Sequence, residues 1–328
     1  MTAAYDVAAI GNAIVDVLAR ADEAFLDAEG LDKGSMRLID EARAHELYGR
    51  MAAGVEASGG SAANTIAGVA SFGGRSLFVG KVARDALGEV FTHDIRAIGA
   101  RFDTPSLNNG PTTGRCLINV TPDGERTMCT FLGAAVRLTP HDVDPEAVAA
   151  ARILYLEGYL FDPADARAAF AKAAAAARAA DRTIALSLSD SFVVERHRQA
   201  LLSFIDAEVD VLFANEAEVE ALFECDFESG LAALDGRVKL AAVTRGAKGS
   251  VILAGGVRTK IAAEPVDHLV DTTGAGDQYA AGFLVGLAGG RPMAECGRLG
   301  SMAAAEVIGH FGPRPQIRLT DLTSAGGV

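Results

Sequence analysis

The sequence has no tryptophan and only four cysteines in 328 residues, Cys116, Cys129, Cys225 and Cys296. None forms a CxxC pair, and no histidine stands beside one at metal-ligand spacing. So few cysteines in so long a chain argue against a disulfide framework and leave reduced, partly buried thiols. Cations are scarce too, with 30 Lys and Arg against 43 Asp and Glu and a net charge of −13. A field of that sign repels nucleic-acid backbones and anionic lipid, so neither nucleic acid nor membrane is an expected partner. No stretch reaches the roughly 18 charge-free apolar residues of a membrane span. The opening Met1-Thr2-Ala3-Ala4-Tyr5-Asp6 lacks a basic segment followed by an apolar run, so a cytoplasmic protein is expected. A phosphate ligand remains open to so acidic a chain, provided that local cations and backbone amides hold it.

Half of the residues are apolar and glycine is abundant at 36. A chain of about this length buries roughly three quarters of its unfolded surface, so a large core is available. Val7-Ala8-Ala9-Ile10, stopped by Gly11, reads as a buried first strand. Later, strand-like runs alternate with helical ones: Ile153–Leu156, then Ala164–Ala180; Val209–Phe213, then Glu216–Phe223. Such alternation predicts an α/β fold, a doubly wound, mostly parallel sheet flanked by helices. Thr112–Phe131 differs. Its β-rich pieces flank Pro122-Asp123-Gly124-Glu125, a hairpin signal, and predict a small sheet outside the main core. No repeat or low-complexity linker divides the chain, so residues 1–328 are expected to form a single domain.

The chemistry concentrates in Asp271-Thr272-Thr273-Gly274-Ala275-Gly276-Asp277, which precedes the apolar helical pattern from Tyr279 to Leu284. Glycines at a helix start let amides converge with no Cβ in the way, and the positive helix end suits a phosphate. Asp277 at the same place can take a proton from an attacking hydroxyl. Phosphoryl transfer needs that pair of functions. Read locally, a plain glycine turn with a helix-start carboxylate fits as well. The chain has no GxxxxGK[ST], and Tyr279 stands where the third glycine of GxGxxG would be.

Two separated signatures decide the matter. Asp271–Asp277 resembles the second signature of the ribokinase/phosphofructokinase-B carbohydrate kinase family. Gly59-Gly60-Ser61-Ala62-Ala63-Asn64, continued by Gly73-Gly74, Gly80-Lys81 and Asp85-Ala86-Leu87-Gly88, resembles the first. The resemblance implies a ribokinase-like fold with a β lid drawn from segments within about 11–40 and 108–134. It implies ATP and Mg²⁺, with K⁺ also to be considered. Gly11–Asp16, Leu186–Ser189 with Phe192, and Val209–Glu216 resemble the branch that phosphorylates adenosine. By that likeness Asn12, Asp16, Gly60 and Asn64 would hold ribose hydroxyls. Ile14 and Leu160, with Tyr159 beside it, would line the base. Asn215 and Glu218 match an N-x-x-E pattern that places Mg²⁺ through water. Thr244, Gly246 and Gly249 would touch the nucleotide, and Arg126 on the lid hairpin would reach the transferring phosphate. Gly274, Ala275 and Gly276 would stabilise charge, with Asp277 as base, and Asp271 and Thr273 align with a monovalent-cation site of some relatives. Packing and capping roles stay open for Ile14, Leu160, Asn215 and Glu218.

The expected activity is transfer of a phosphoryl group from ATP to the 5′-hydroxyl of a ribonucleoside, adenosine before others, by a monomer or homodimer. A sugar kinase acting on ribose, fructose or ketodeoxygluconate is the alternative. A non-catalytic nucleoside- or sugar-binding regulator on the same fold is the rival from another class.

Overall fold

The computed structural model describes residues 3–325. Its strands, in chain order, are β1 (Tyr5–Ile10), β2 (Ile14–Arg20), β3 (Met36–Leu38), β4 (Gly54–Gly59), β5 (Ser76–Val79), β6 (Thr113–Val120), β7 (Arg126–Gly133), β8 (Ala151–Glu157), β9 (Thr183–Ser187), β10 (Val211–Asn215), β11 (Leu240–Thr244), β12 (Ser250–Ala254) and β13 (Val257–Ile261). Eight form one sheet in the order β13-β12-β11-β10-β9-β8-β1-β5. From β11 to β5 every neighbour is parallel; β12 and β13 finish one edge with antiparallel pairs. Parallel strands need crossovers, and the helices that supply them cover both faces of the sheet. The strand period of two then divides the core. Ala8, Ile10, Leu154, Leu156 and Leu212 face one apolar layer. Val7, Ala9, Ile153, Tyr155 and Phe213 face the other. Each such fully buried large side chain is worth roughly 1.5–3 kcal/mol.

The remaining five strands form a second sheet, β3-β7-β6-β2-β4. It takes a strand from outside the two expected segments: β4 pairs antiparallel with β2 along Gly54–Gly59. Its sequence, Gly-Val-Glu-Ala-Ser-Gly, is exposed over its first half and shows no apolar run, as edge strands often do not. Alternation again sorts the faces. Val15, Val17, Leu117 and Cys129 join Leu26 and Leu47 of the helices Glu23–Ala28 and Glu41–Arg50 in an apolar layer. Ile14, Asp16, Cys116, Ile118 and Thr130 point the other way, into a cavity. Among the described residues no helix is long and apolar enough to cross a membrane.

Candidate active site

The cavity lies where the inner face of the second sheet meets the ends of the main-sheet strands, and encloses about 690 Å³. That is ample for a ligand of nucleoside size, since small-molecule sites run from roughly 300 to 1,000 Å³. Asp277, in the first turn of the helix Ala275–Ala288, is among the residues that line the cavity. Gly274 caps that helix with φ +78° and no side-chain hydrogen bond, and a Cβ there would stand 2.6 Å from Cβ of Pro313. Only glycine fits both the conformation and the space. The first amides of the helix lack intrahelical partners, and nothing lies within 4 Å of where a Cβ of Gly276 would be. Ala275 N donates to Thr272 O at 3.2 Å, so the amides of Gly274 and Gly276 are the loop's fit for phosphate oxygens.

Asp277 is held from the first signature. Ser61 Oγ donates to its Oδ1 at 2.6 Å and Asn64 Nδ2 to its Oδ2 at 3.1 Å. Burial raises its pKa to about 6, against the pull of those two bonds and of Arg314. A carboxylate near neutrality suits a general base. Asn64, expected on the ribose, thus spends its amide on Asp277, while still lining the cavity.

Asp16 is the second carboxylate. It is 6% exposed, faces the cavity, and accepts no hydrogen bond among the described residues. Burial raises its pKa to about 7 despite the Arg314 and Arg126 charges, and Asp277 pushes the same way. Gly59 makes room for it, since a Cβ there would lie 2.4 Å from Asp16 Cγ. Gly60, at φ +100°, lets the chain pass Asn12, whose carbonyl oxygen would be 2.1 Å from a Cβ. Asn12 is bound to Glu157, with N at 3.2 Å and Nδ2 at 2.6 Å from Oε1. The other oxygen of Glu157 accepts from Ala62 N at 2.8 Å, and burial lifts this acid to about 7. Ile14 lines the cavity on the same face of β2 as Asp16.

Other expected positions fall differently. Leu160 is fully buried in the main-sheet core, inside the short helical turn Gly158–Phe161, so it packs and does not touch the cavity. Tyr159, one residue earlier, lines it instead. Arg126 does not stand free over the phosphate loop. It forms an ion pair with Asp271, and its Nη1 donates to Thr273 Oγ1 at 3.1 Å. Asp271 also accepts from Thr273 N and Gly312 N, both at 3.0 Å. These oxygens thus serve a guanidinium and two amides. Asn215 and Glu218 form a complete capping box. Asn215 Oδ1 accepts from Glu218 N at 2.8 Å, and Asn215 N and Nδ2 donate to Glu218 at 2.9 and 2.8 Å. That box starts the helix Glu216–Phe223, and burial raises Glu218 to about 7. Both residues still line the cavity, as does Thr244 at the end of β11. Gly246 and Gly249 shape the turn after it. Both have positive φ, and a Cβ on Gly249 would lie 2.0 Å from Ile261 O.

Among the described residues no cluster of three His, Cys, Asp or Glu could hold a metal alone. Glu218, a cavity carboxylate beside Asn215 and Thr244, fits a Mg²⁺ that keeps its waters and is carried by a polyphosphate, the usual habit of that ion. Three functional groups carried no role in the sequence reading. Ser61 sat unassigned inside the first signature. Glu157 ends a buried strand, where only its position beside the Gly158 break hinted at a site. Arg314 lies in no motif at all.

The chain matches the profile of the pfkB family carbohydrate kinases over residues 22–318. It belongs to that family, a class of phosphotransferases acting on hydroxyl groups of nucleosides or sugars, and has the ribokinase-like α/β fold expected of it. Within the family, the crystal structure of adenosine kinase from Sinorhizobium meliloti superposes with a TM-score of 0.93 at 51% identity, covering 98% of this chain and 99% of that one. The structure of a probable sugar kinase protein from Rhizobium etli CFN 42 superposes with a TM-score of 0.94 at 45% identity, over 99% of both chains. Adenosine kinase of Saccharomyces cerevisiae is 28% identical over 273 residues, 78% of this chain and 79% of its own length.

Proposed function

We propose that this kinase transfers the γ-phosphoryl group of ATP to the 5′-hydroxyl of adenosine, giving AMP. One observation carries the reading: a buried carboxylate without a hydrogen-bond partner, Asp16, shares a cavity with the oriented carboxylate Asp277. Vicinal ribose hydroxyls are donors that Asp16 lacks, and Asn12 Oδ1 is likewise buried without a partner. With those hydroxyls anchored, the primary hydroxyl would lie toward Asp277. The carboxylate takes its proton as the oxygen attacks phosphorus and the bond to the leaving ADP breaks. Gly274 and the open Gly276 bring amides to the charge on the phosphoryl oxygens. Mg²⁺, bound to the nucleotide, would neutralise phosphate charge, with Glu218 nearby to hold one of its waters.

The inner face of the second sheet supports a nucleoside over a free sugar. Ile14, Ile118, Met128 and Leu132 surround the polar pair Asp16 and Thr130, and Tyr159 adds an aromatic edge. A purine covers such apolar surface, whereas a sugar would leave it wet. The adenosine kinases among its relatives support the same choice. Asp277→Asn tests the mechanism. It keeps the shape, accepts from Ser61, and loses the base. Turnover should fall by about 10²–10⁴-fold while ATP still binds; near-normal turnover would refute the assignment.

A further inference from the structure

Arg314 lies in Phe311-Gly312-Pro313-Arg314-Pro315, a stretch that ties the two signatures together. Gly312 N donates to Asp271, and Pro313 O accepts from Gln278 Nε2 at 2.9 Å; the same Nε2 reaches Asn64 O at 2.9 Å. This path lays the Arg314 guanidinium against the first signature. Nε donates to Asn64 Oδ1 at 3.2 Å and Nη1 to Ser58 Oγ, while Nη2 is buried with no hydrogen-bond partner. An asparagine amide has one accepting and one donating end. A cationic donor on Oδ1 settles which end is which, so Nδ2 must turn to Asp277 Oδ2.

We propose that Arg314 is a positioning residue for phosphoryl transfer: it locks the Asn64 amide that orients Asp277, and it supplies the positive charge that Asp277 and Asp16 share. The inference rests on reading Asp277 as the base. The charged and titratable groups facing Asp277 are Arg314, Asp16, Glu157, Tyr155 and Tyr159. Those facing Arg314 are Asp16, Asp94 and Asp277. Arg126 also faces Asp16, but is paired with Asp271. Arg314 is thus the cation that acts on Asp277. Burial lowers its own pKa only to about 10, so it stays charged at neutral pH.

The test is kcat/KM against pH for the full-length enzyme, Arg314→Lys and Arg314→Met, with Asp277→Asn measured alongside. Arg314→Met should lower kcat about 100-fold, as misplacement of a catalytic group does. Its acid limb should move up by about one pH unit, because an opposing charge has gone. Arg314→Lys keeps the charge and loses the fork. Its limb should stay near that of the parent while kcat remains depressed. A merely structural brace would lower stability and leave the limb in place. If Asp277→Asn collapses but both Arg314 variants keep the parental limb and kcat, the proposal is overturned. If Asp277→Asn is near normal, the base reading falls and the proposal with it. Should Arg314→Met not fold, Arg314→Lys decides with its melting temperature: depressed kcat with an unmoved limb at parental stability supports the proposal, and parental kcat, or a kcat loss that accompanies a loss of stability, overturns it.

Discussion

Replacing Asp16 by Asn should weaken catalysis and strengthen the fold in the same molecule. Burial raises the Asp16 pKa from 3.8 to about 7. The folded state therefore holds the proton more tightly than the unfolded chain does. The group costs nothing below about pH 4, costs more as pH climbs through 3.8 to 7, and costs its full amount above. About three units at 1.36 kcal/mol each make ~4 kcal/mol. Asn removes the charge but buries an amide without partners, which takes back about 1–2 kcal/mol. A net gain of about 2–3 kcal/mol at pH 8 follows. Unfolding entropy is about 2.1 cal/mol/K per residue, so over 328 residues the melting temperature should rise by about 3–4 °C. At pH 4.5 the two proteins should melt nearly together. The acceptor, meanwhile, exchanges charge-assisted hydrogen bonds for neutral ones, a loss of about 2–3 kcal/mol or roughly 30- to 150-fold in kcat/KM. Thermal melts at both pH values and initial rates with varied acceptor are the assays. An unchanged or lower melting temperature at pH 8 would refute the reasoning.

Leu160→Ala should destabilise by about 2–5 kcal/mol, as a fully buried leucine does, and leave the acceptor KM unaltered; a raised KM with parental stability would return Leu160 to the cavity wall. In the turn after β11, Gly246→Ala meets open space at φ +56° and should cost about 1–2 kcal/mol from backbone conformation alone. Gly249→Ala meets Ile261 O as well and should cost distinctly more by urea denaturation. Equal costs would show that the close approach of β13 is not what fixes Gly249.

The two signatures were legible in the sequence because each is local: Gly274 and Asp277 stand three residues apart, as do Ser61 and Asn64. The strand–helix alternation was legible for the same reason, since Glu216–Phe223 begins on its own capping box. What was hidden depends on distant chain. Tyr159 and Leu160 differ by one position, and only the tight turn Gly158–Phe161 decides which faces the cavity. Arg126 binds Asp271 across 145 residues of sequence, and no spacing rule reaches so far. Arg314 meets Asn64 across 250. β4 carries no strand signal of its own and owes its place to the register Ile14–Gly59 through Ala19–Gly54.

The most direct measurement is ATP consumption with Mg²⁺ against adenosine, inosine, guanosine, cytidine, ribose, fructose and 2-keto-3-deoxygluconate. The account predicts that adenosine gives the highest kcat/KM, with AMP as the product. A higher kcat/KM for a free sugar, or tight binding of adenosine with no turnover of any acceptor, would contradict it.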